Sequence, residues 1–412
     1  MKQKLIIMKA KIILMFAIIL FSMQTINAQY KSVNDSPINE GISLINSDSI
    51  AYQLQWLQNM GTRFMMAPNH REVAENIKAR FESYGITEVR LDSFQCYTNI
   101  NYSNLHYDTT TWQYNVEAKI IGSVYPDEEI IVMGHHDNVQ LESDPEIFAP
   151  GADDNASGTV AALETARVIM EMGYQPERTI VFLTTAAEEL MNFGDAGSEH
   201  YATQAEAEGT NIWGVINNDM IAYDNGSNIM TLSNVIGSEE ITGVASLITS
   251  TYTYLTPDVD SPTSSGGADL AAFIEMGYKG VYLMEKVFNP YYHSELDLVE
   301  NCNLDYLTEA IKISCGTVIY TDISVGIDKP GEKETLISVY PNPCKDVINI
   351  KLSDNTRKSK IMLYNTTGQL LYNTTMDAYQ NNLSIDMIDY PAGVYVLYIY
   401  DNKDLTKMKI LR

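Results

Sequence analysis

The chain is 412 residues long, 45% hydrophobic, and carries a net charge of −26. That length predicts one large domain plus a small one, and the apolar content predicts a sizeable core rather than disorder. The four charged residues among the first 28 are all lysines, so the remainder is more acidic still, which excludes nucleic acid and anionic membrane surfaces as partners.

At the N-terminus, Lys9 and Lys11 precede an apolar run over residues 12–21, and a polar stretch leads to Ala28. This pattern predicts a secretory signal peptide over residues 1–28; a signal-anchor helix is the alternative, for which the run is short. No later segment is apolar enough over a sufficient length to span a bilayer, so no transmembrane segment is expected in the mature chain. Four cysteines, Cys96, Cys302, Cys315 and Cys344, allow three complete pairings in an exported protein, and unpaired core thiols fit equally well. Oligomeric state is left open by the sequence.

Residues 29–322 alternate short apolar runs with helical patterns, which predicts an α/β domain: a central mixed sheet flanked by helices. In chain order the expected elements are a central strand at 129–133, a helix at 156–172, a strand at 179–184, a helix at 197–208 and a strand at 213–217. A helix at 241–250, a strand at 281–284 and a helix at 305–320 complete the domain. Gly326, Pro330 and Gly331 mark a linker over 323–336. Residues 337–412 then carry short alternating strands, among them 347–351, 360–364 and 393–399, which read as a small β-sandwich with no acid–histidine cluster of its own.

Five candidate metal ligands, His135, Asp154, Glu189, Asp219 and His293, each fall where an apolar run gives way to a loop. The carboxyl edge of an open α/β sheet is where sites are built. In Gly134-His135-His136-Asp137 adjacent strand residues face opposite ways, so one imidazole faces the site, and Asp137 is placed to hold the other ring nitrogen of His135. In Gly151-Ala152-Asp153-Asp154-Asn155, a carboxylate can either cap the following helix or bridge two cations. Glu188 and Glu189 are adjacent acids after an apolar strand, a costly arrangement unless they are paired or functional. With Glu189 on a metal, Glu188 is free to take a proton from an activated water. Asp219 follows another apolar strand, and His293 adds a second imidazole in a loop.

Together the segments GHHDNV, PGADDNASG, AAEEL, INNDM and YYHSELD resemble the M28 zinc aminopeptidases, over residues 50–322. The resemblance implies two Zn2+ per chain, with Asp154 bridging, His135 and Asp219 on one ion, and Glu189 and His293 on the other. It further implies Glu188 as general base, Asp137 as the acid orienting His135, a non-proline cis peptide after Asp154, and peptide substrates cleaved at the N-terminal bond. The sequence departs from the family at Gly267-Ala268-Asp269-Leu270 and at Leu190-Met191-Asn192-Phe193-Gly194, so side-chain specificity is not implied. Two other readings share the fold: a single-zinc glutaminyl cyclase, and a non-catalytic binding ectodomain. Mixed histidine and carboxylate ligands also accept cobalt or manganese.

The tail resembles the type A sorting domain of type IX secretion cargo in the Bacteroidota. The resemblance rests on Tyr340-Pro341-Asn342-Pro343, Leu363-Tyr364-Asn365 with Gly368-Gln369, Pro391-Ala392-Gly393-Val394-Tyr395, and Lys409-Ile410-Leu411. It implies the type IX secretion machinery as a partner and a secreted or cell-surface destination. A β-sandwich that binds sugar or cell wall is the alternative.

Overall fold

The structure, a computed structural model, describes residues 36–102, 105–189, 196–324, 337–340, 344–352, 358–365, 370–388, 390–391, 394–400 and 405–412. The expected signal peptide, nearly all of the expected linker, the altered stretch 190–194 and parts of the tail motifs lie outside them. The chain divides into two compact units, one spanning Asn34–Ser324 and the other holding the described residues beyond 336. No disulfide joins Cys96, Cys302, Cys315 and Cys344. Among the described residues no helix is long and apolar enough to cross a membrane.

The first unit opens with helices α1 (Ser36–Leu44), α2 (Ser47–Gln58) and α3 (His70–Ser83). A long hairpin follows, β1 (Glu88–Tyr102) and β2 (Leu105–Ile120), then β3 (Tyr125–His135), α4 (Gly158–Glu171), β4 (Arg178–Thr185), α5 (Gly197–Glu208) and β5 (Asn211–Asn218). The remainder is β6 (Ile229–Leu232), α6 (Glu239–Tyr252), β7 (Thr256–Val259), α7 (Leu270–Glu275), β8 (Gly280–Glu285) and α8 (Leu304–Ser324). Eight strands form one mixed sheet in the order β1-β2-β4-β3-β5-β8-β6-β7. Strands β4, β3, β5 and β8 pair in parallel at its centre, and β2 joins β4 antiparallel.

Burial explains the order. Every residue of β4 is buried, as are the last seven of β3, so both strands need neighbours on both edges and cover on both faces. On one face Ile131, Met133, Val181 and Leu183 pack with Tyr201 of α5 and Phe273 of α7. On the other, Phe182 stacks on Phe81 of α3 at 6.2 Å. Because β3 is flanked by β4 and β5, the chain leaves it in one direction and returns on its other side, which opens a crevice at the carboxyl end of the sheet.

The strands and helices expected from the sequence are present, most of them one to five residues longer. The exception is the start of the helix after β3. Residues 152–157 form an irregular turn in which Asp154 and Asn155 have non-helical backbone angles, so the regular helix begins only at Gly158. The short strands β6 and β7 and the hairpin β1–β2 carry too little hydrophobic alternation to stand out in the sequence.

In the second unit, β9 (Ile337–Tyr340), β10 (Val347–Leu352) and β13 (Asn382–Asp386) make a three-stranded sheet. The strands β11 (Ser359–Asn365), β12 (Leu370–Met376), β14 (Val394–Tyr400) and β15 (Leu405–Leu411) make a four-stranded one. Ile348, Ile350, Ile361, Leu363, Leu397 and Ile410 fill a single core.

Candidate metal centre

Each of the five acid and histidine candidates is delivered by a different segment. His135 is the last residue of β3, Asp219 follows β5, Glu189 lies four residues past β4, Asp154 sits in the turn before α4, and His293 lies beyond β8. Four are buried and His293 is half-buried. The structure gathers them into two groups that share one member: His135 with Asp154 and Asp219, and Asp154 with Glu189 and His293.

His135 Nε2 lies 3.5 Å from Asp154 Oδ1 and 3.6 Å from Asp219 Oδ1. His293 Nε2 lies 3.2 Å from Asp154 Oδ2 and 2.8 Å from Glu189 Oε2. Ligand atoms around a tetrahedral zinc, each about 2.0–2.2 Å from the ion, stand roughly 3.3–3.5 Å apart, so the three longer spacings suit donors around a common centre, and the Glu189–His293 pair is closer than that. A second observation agrees. His135 Nε2, Asp154 Oδ2, Glu189 Oε1, Asp219 Oδ1 and His293 Nε2 are all buried without a hydrogen-bond partner. Buried polar atoms are rarely left so, and five on one cluster fit a pair of cations.

The electrostatics point the same way. Burial pushes Glu189 up to about 8, reinforced by the charge of Asp154. Burial works against charge on His293, yet Glu189 and Asp154 drive its imidazole up to about 10. Burial likewise opposes charge on His135, and Glu188, Asp219 and Asp137 overcome it, raising the ring well above its ordinary value. Asp154 goes the other way: burial would raise it, but the two imidazoles take it below the usual carboxylate range. So many carboxylates demand positive charge among them, and divalent ions supply it more effectively than protons on two rings.

Backbone geometry aims the groups. The Asp154–Asn155 peptide is cis, and the Asn155 side chain accepts from Gly158 N at 2.8 Å, taking the capping role that the sequence left open to Asp154. Gly158 passes so close to Asn218 O that a Cβ there would stand 2.0 Å from it. Ala187, Met220 and His293 all take left-handed backbone angles, with φ of 60°, 51° and 54°. Non-glycine residues rarely adopt these angles outside sites that need them.

Asp137 does two things. Its carbonyl O lies 3.2 Å from His135 Nδ1 and its Oδ1 3.5 Å away. Its carboxylate also accepts from Glu188 N and Glu189 N, both at 3.1 Å, and so fixes the two acids from behind. Glu188 keeps 26% of its side chain exposed, with Oε2 3.7 Å from His135 Nε2. It therefore borders both the cluster and solvent. His136 faces away, its Nδ1 3.1 Å from Thr184 Oγ1, and burial lowers it to about 4. Asp153 also turns from the cluster, accepting from Ala222 N and Asn289 Nδ2.

Three supporting residues escaped the sequence reading. Asp297 accepts from Asp153 N and Asp154 N, both at 3.0 Å, and so holds the turn that carries Asp154. It closes the YYHSELD segment, where nothing in the residues themselves assigns it this role. Asp269, in the segment where the chain departs from the family, is buried with one oxygen bonded to Thr185 Oγ1 and the other without a partner. Arg63 lies buried beneath the loops, and an arginine without a nearby acid in sequence gives no warning of such a place.

An α/β sheet with a buried acid–histidine cluster at its carboxyl edge is the architecture of a metallohydrolase. Residues 115–318 match peptidase family M28 and residues 338–411 match a secretion-system C-terminal sorting domain, so the chain joins an M28 peptidase domain to a sorting domain. A probable aminopeptidase of Saccharomyces cerevisiae is 27% identical over 296 residues, 69% of this chain and 76% of that protein. The chain spans little more than half, 56%, of a probable leucine aminopeptidase of Arthroderma otae. Among solved structures, an aminopeptidase of Legionella pneumophila superposes with a TM-score of 0.59 at 22% identity, covering 72% of this chain and 76% of that one. A zinc aminopeptidase from Bacillus subtilis gives 0.55 at 15% identity, covering 69% and 99%. At these identities the structural likenesses establish the fold.

Proposed function

We propose that the chain is an exported exopeptidase that holds two zinc ions and hydrolyses N-terminal peptide bonds. The observation that carries this is the pair of ligand groups sharing Asp154, with a partnerless buried atom on each of the five residues. His135 and Asp219 would hold one ion, Glu189 and His293 the other, and Asp154 both. Zinc at such sites lowers the pKa of water and polarises the scissile carbonyl. Glu188 takes the proton of the attacking water and passes it to the leaving amine, and its exposed edge lets it re-equilibrate with solvent. Asp137 keeps Glu188 and Glu189 in place through their amides and presents oxygen atoms to His135 Nδ1.

The arrangement along the chain follows: a signal peptide over 1–28, the peptidase over 29–322, a linker over 323–336 and a sorting domain over 337–412. The sorting domain supports export by the type IX machinery to the cell surface or medium. Peptides are the expected substrates.

Glu188→Gln is expected to keep two zinc equivalents while kcat on aminoacyl-p-nitroanilides falls about 100-fold or more. Near wild-type turnover would overturn the base assignment. A chain that binds one zinc and cyclises N-terminal glutamine would be a glutaminyl cyclase. One that hydrolyses no amide in a chelator-sensitive way would be a binding module.

A further inference from the structure

The segment Ala186–Glu189, which carries Glu188 and Glu189, follows β4, and its first residue is tied to Gly197 at the start of α5. Gly197 N donates to Ala186 O at 2.8 Å. Against this junction sits Asn115, fully buried. Its Oδ1 accepts from Ala186 N at 3.0 Å, and its Nδ2 donates to Gly197 O at 2.9 Å and to Asp92 Oδ2 at 3.2 Å. Asp92 lies directly opposite it on β1.

The position explains the residue. Val116 is the first residue of β2 opposite β4, paired with Thr184, and the residues of β2 before it extend past the end of β4 toward the catalytic edge. Asn115 thus stands at the fork where the two strands part, and its amide supplies the next hydrogen bonds that the ladder no longer makes. Only a side chain offering one acceptor and one donor pair in a short, flat group satisfies an N–H and a C=O together. The fit is tight: a Cβ on Gly197 would stand 2.0 Å from Asn115 Oδ1 and 2.6 Å from Ala186 O. Beside the clasp, Phe94 and Cys96 of the hairpin pack in one cluster with Ala186 and Ala187.

We propose that Asn115 is a positioning residue that locks the stem of this segment and so sets where Glu188 and Glu189 stand. Its catalytic consequence rests on the peptidase reading above; the clasp itself does not. The effect is selective. Glu189 is the one candidate ligand on the segment, whereas His135, Asp154, Asp219 and His293 come from other elements. Releasing the stem loosens the Glu189–His293 half of the centre and the Glu188 base, and leaves the His135–Asp219 half in place.

The test uses the full chain with Asn115→Ala and, as a second and milder variant, Asn115→Ser. Hydrogen exchange is expected to rise at least about tenfold at the amides of Ala186, Glu188 and Glu189 while β4 and α4 keep wild-type protection. One of two zinc equivalents is expected to pass to a chelator at least about tenfold faster. At saturating zinc, kcat is expected to fall at least about tenfold with KM within about twofold. Exchange unchanged at those amides, or raised equally across β4 in both variants, overturns the proposal. Exchange is read without turnover, so a wild-type chain with no chelator-sensitive hydrolysis would sink the peptidase reading alone.

Discussion

Arg63 is buried among backbone carbonyls, with Nε donating to His136 O at 2.7 Å, Nη1 to Pro150 O at 3.0 Å and Nη2 to Gly151 O at 2.7 Å. It ties the exit of β3 to the approach to Asp154. Burial lowers it to about 10, with Asp297, Asp137 and Asp154 resisting the fall, so it stays charged at neutral pH. Arg63→Met strands these carbonyls and removes a buried cation facing several acids. Denaturant unfolding is expected to show a loss of about 3–5 kcal/mol. Glu285 gives a second prediction at this scale. Burial, then the charge of Asp153, pushes its carboxyl up to about 11. The folded value lies above the unfolded one, so its contribution to stability is complete below about 4.5 and drains as pH rises toward 11. Thermal melts between pH 6 and 10 should show stability falling with pH, and Glu285→Gln should flatten that slope. A slope equally steep in the variant would assign the dependence elsewhere.

Among the elements, α2 depends directly on one buried acid, and α1 through Arg167, whose Nη2 donates to Leu44 O. Glu164 of α4 accepts from Asn46 N at 3.0 Å, Ser49 Oγ at 2.8 Å and Gln53 Nε2 at 2.8 Å, and pairs with Arg167 at 2.6 Å. Glu164→Ala leaves those donors and a guanidinium unpaired at once. A loss of about 3 kcal/mol is expected, with hydrogen exchange rising first in residues 36–58. A uniform rise would place the effect in the core instead. The elements that sequence reading located are those whose burial is extreme. Arg178–Thr185 is buried throughout and reads as a strand on composition alone. Thr256–Val259 is half-exposed and short, so its pairing with β6 supplies what its own residues do not signal. In sequence the helix reads as starting at residue 156, but contacts of the preceding turn with Asp297 and Asn218, far along the chain, delay its regular start to Gly158.

At the scale of the molecule, the peptidase and the sorting domain each have a core of their own. A chain ending at Ser324 is therefore expected to fold and to keep kcat/KM within about twofold of the full chain. A larger loss would show that the tail contributes to catalysis. The ligand candidates were legible because a metal centre draws chemically distinctive residues to strand ends. The residues that hold them were not, because Asp297, Arg63 and Asn115 act through backbone amides and carbonyls, and such partners leave no pattern in a sequence.

Asp154 offers one oxygen toward His135 and the other toward His293, so two candidate ligand groups hang on a single rotatable side chain. Occupancy of one side would fix the torsion that the other side needs. The two halves are then thermodynamically linked rather than additive. A metal titration is expected to depart from two independent isotherms. A double-mutant cycle of His135→Ala with His293→Ala should give a coupling energy above about 0.5 kcal/mol. Additive losses would mean that the shared carboxylate is rigid in advance, held by Asp297 through the Asp154 amide.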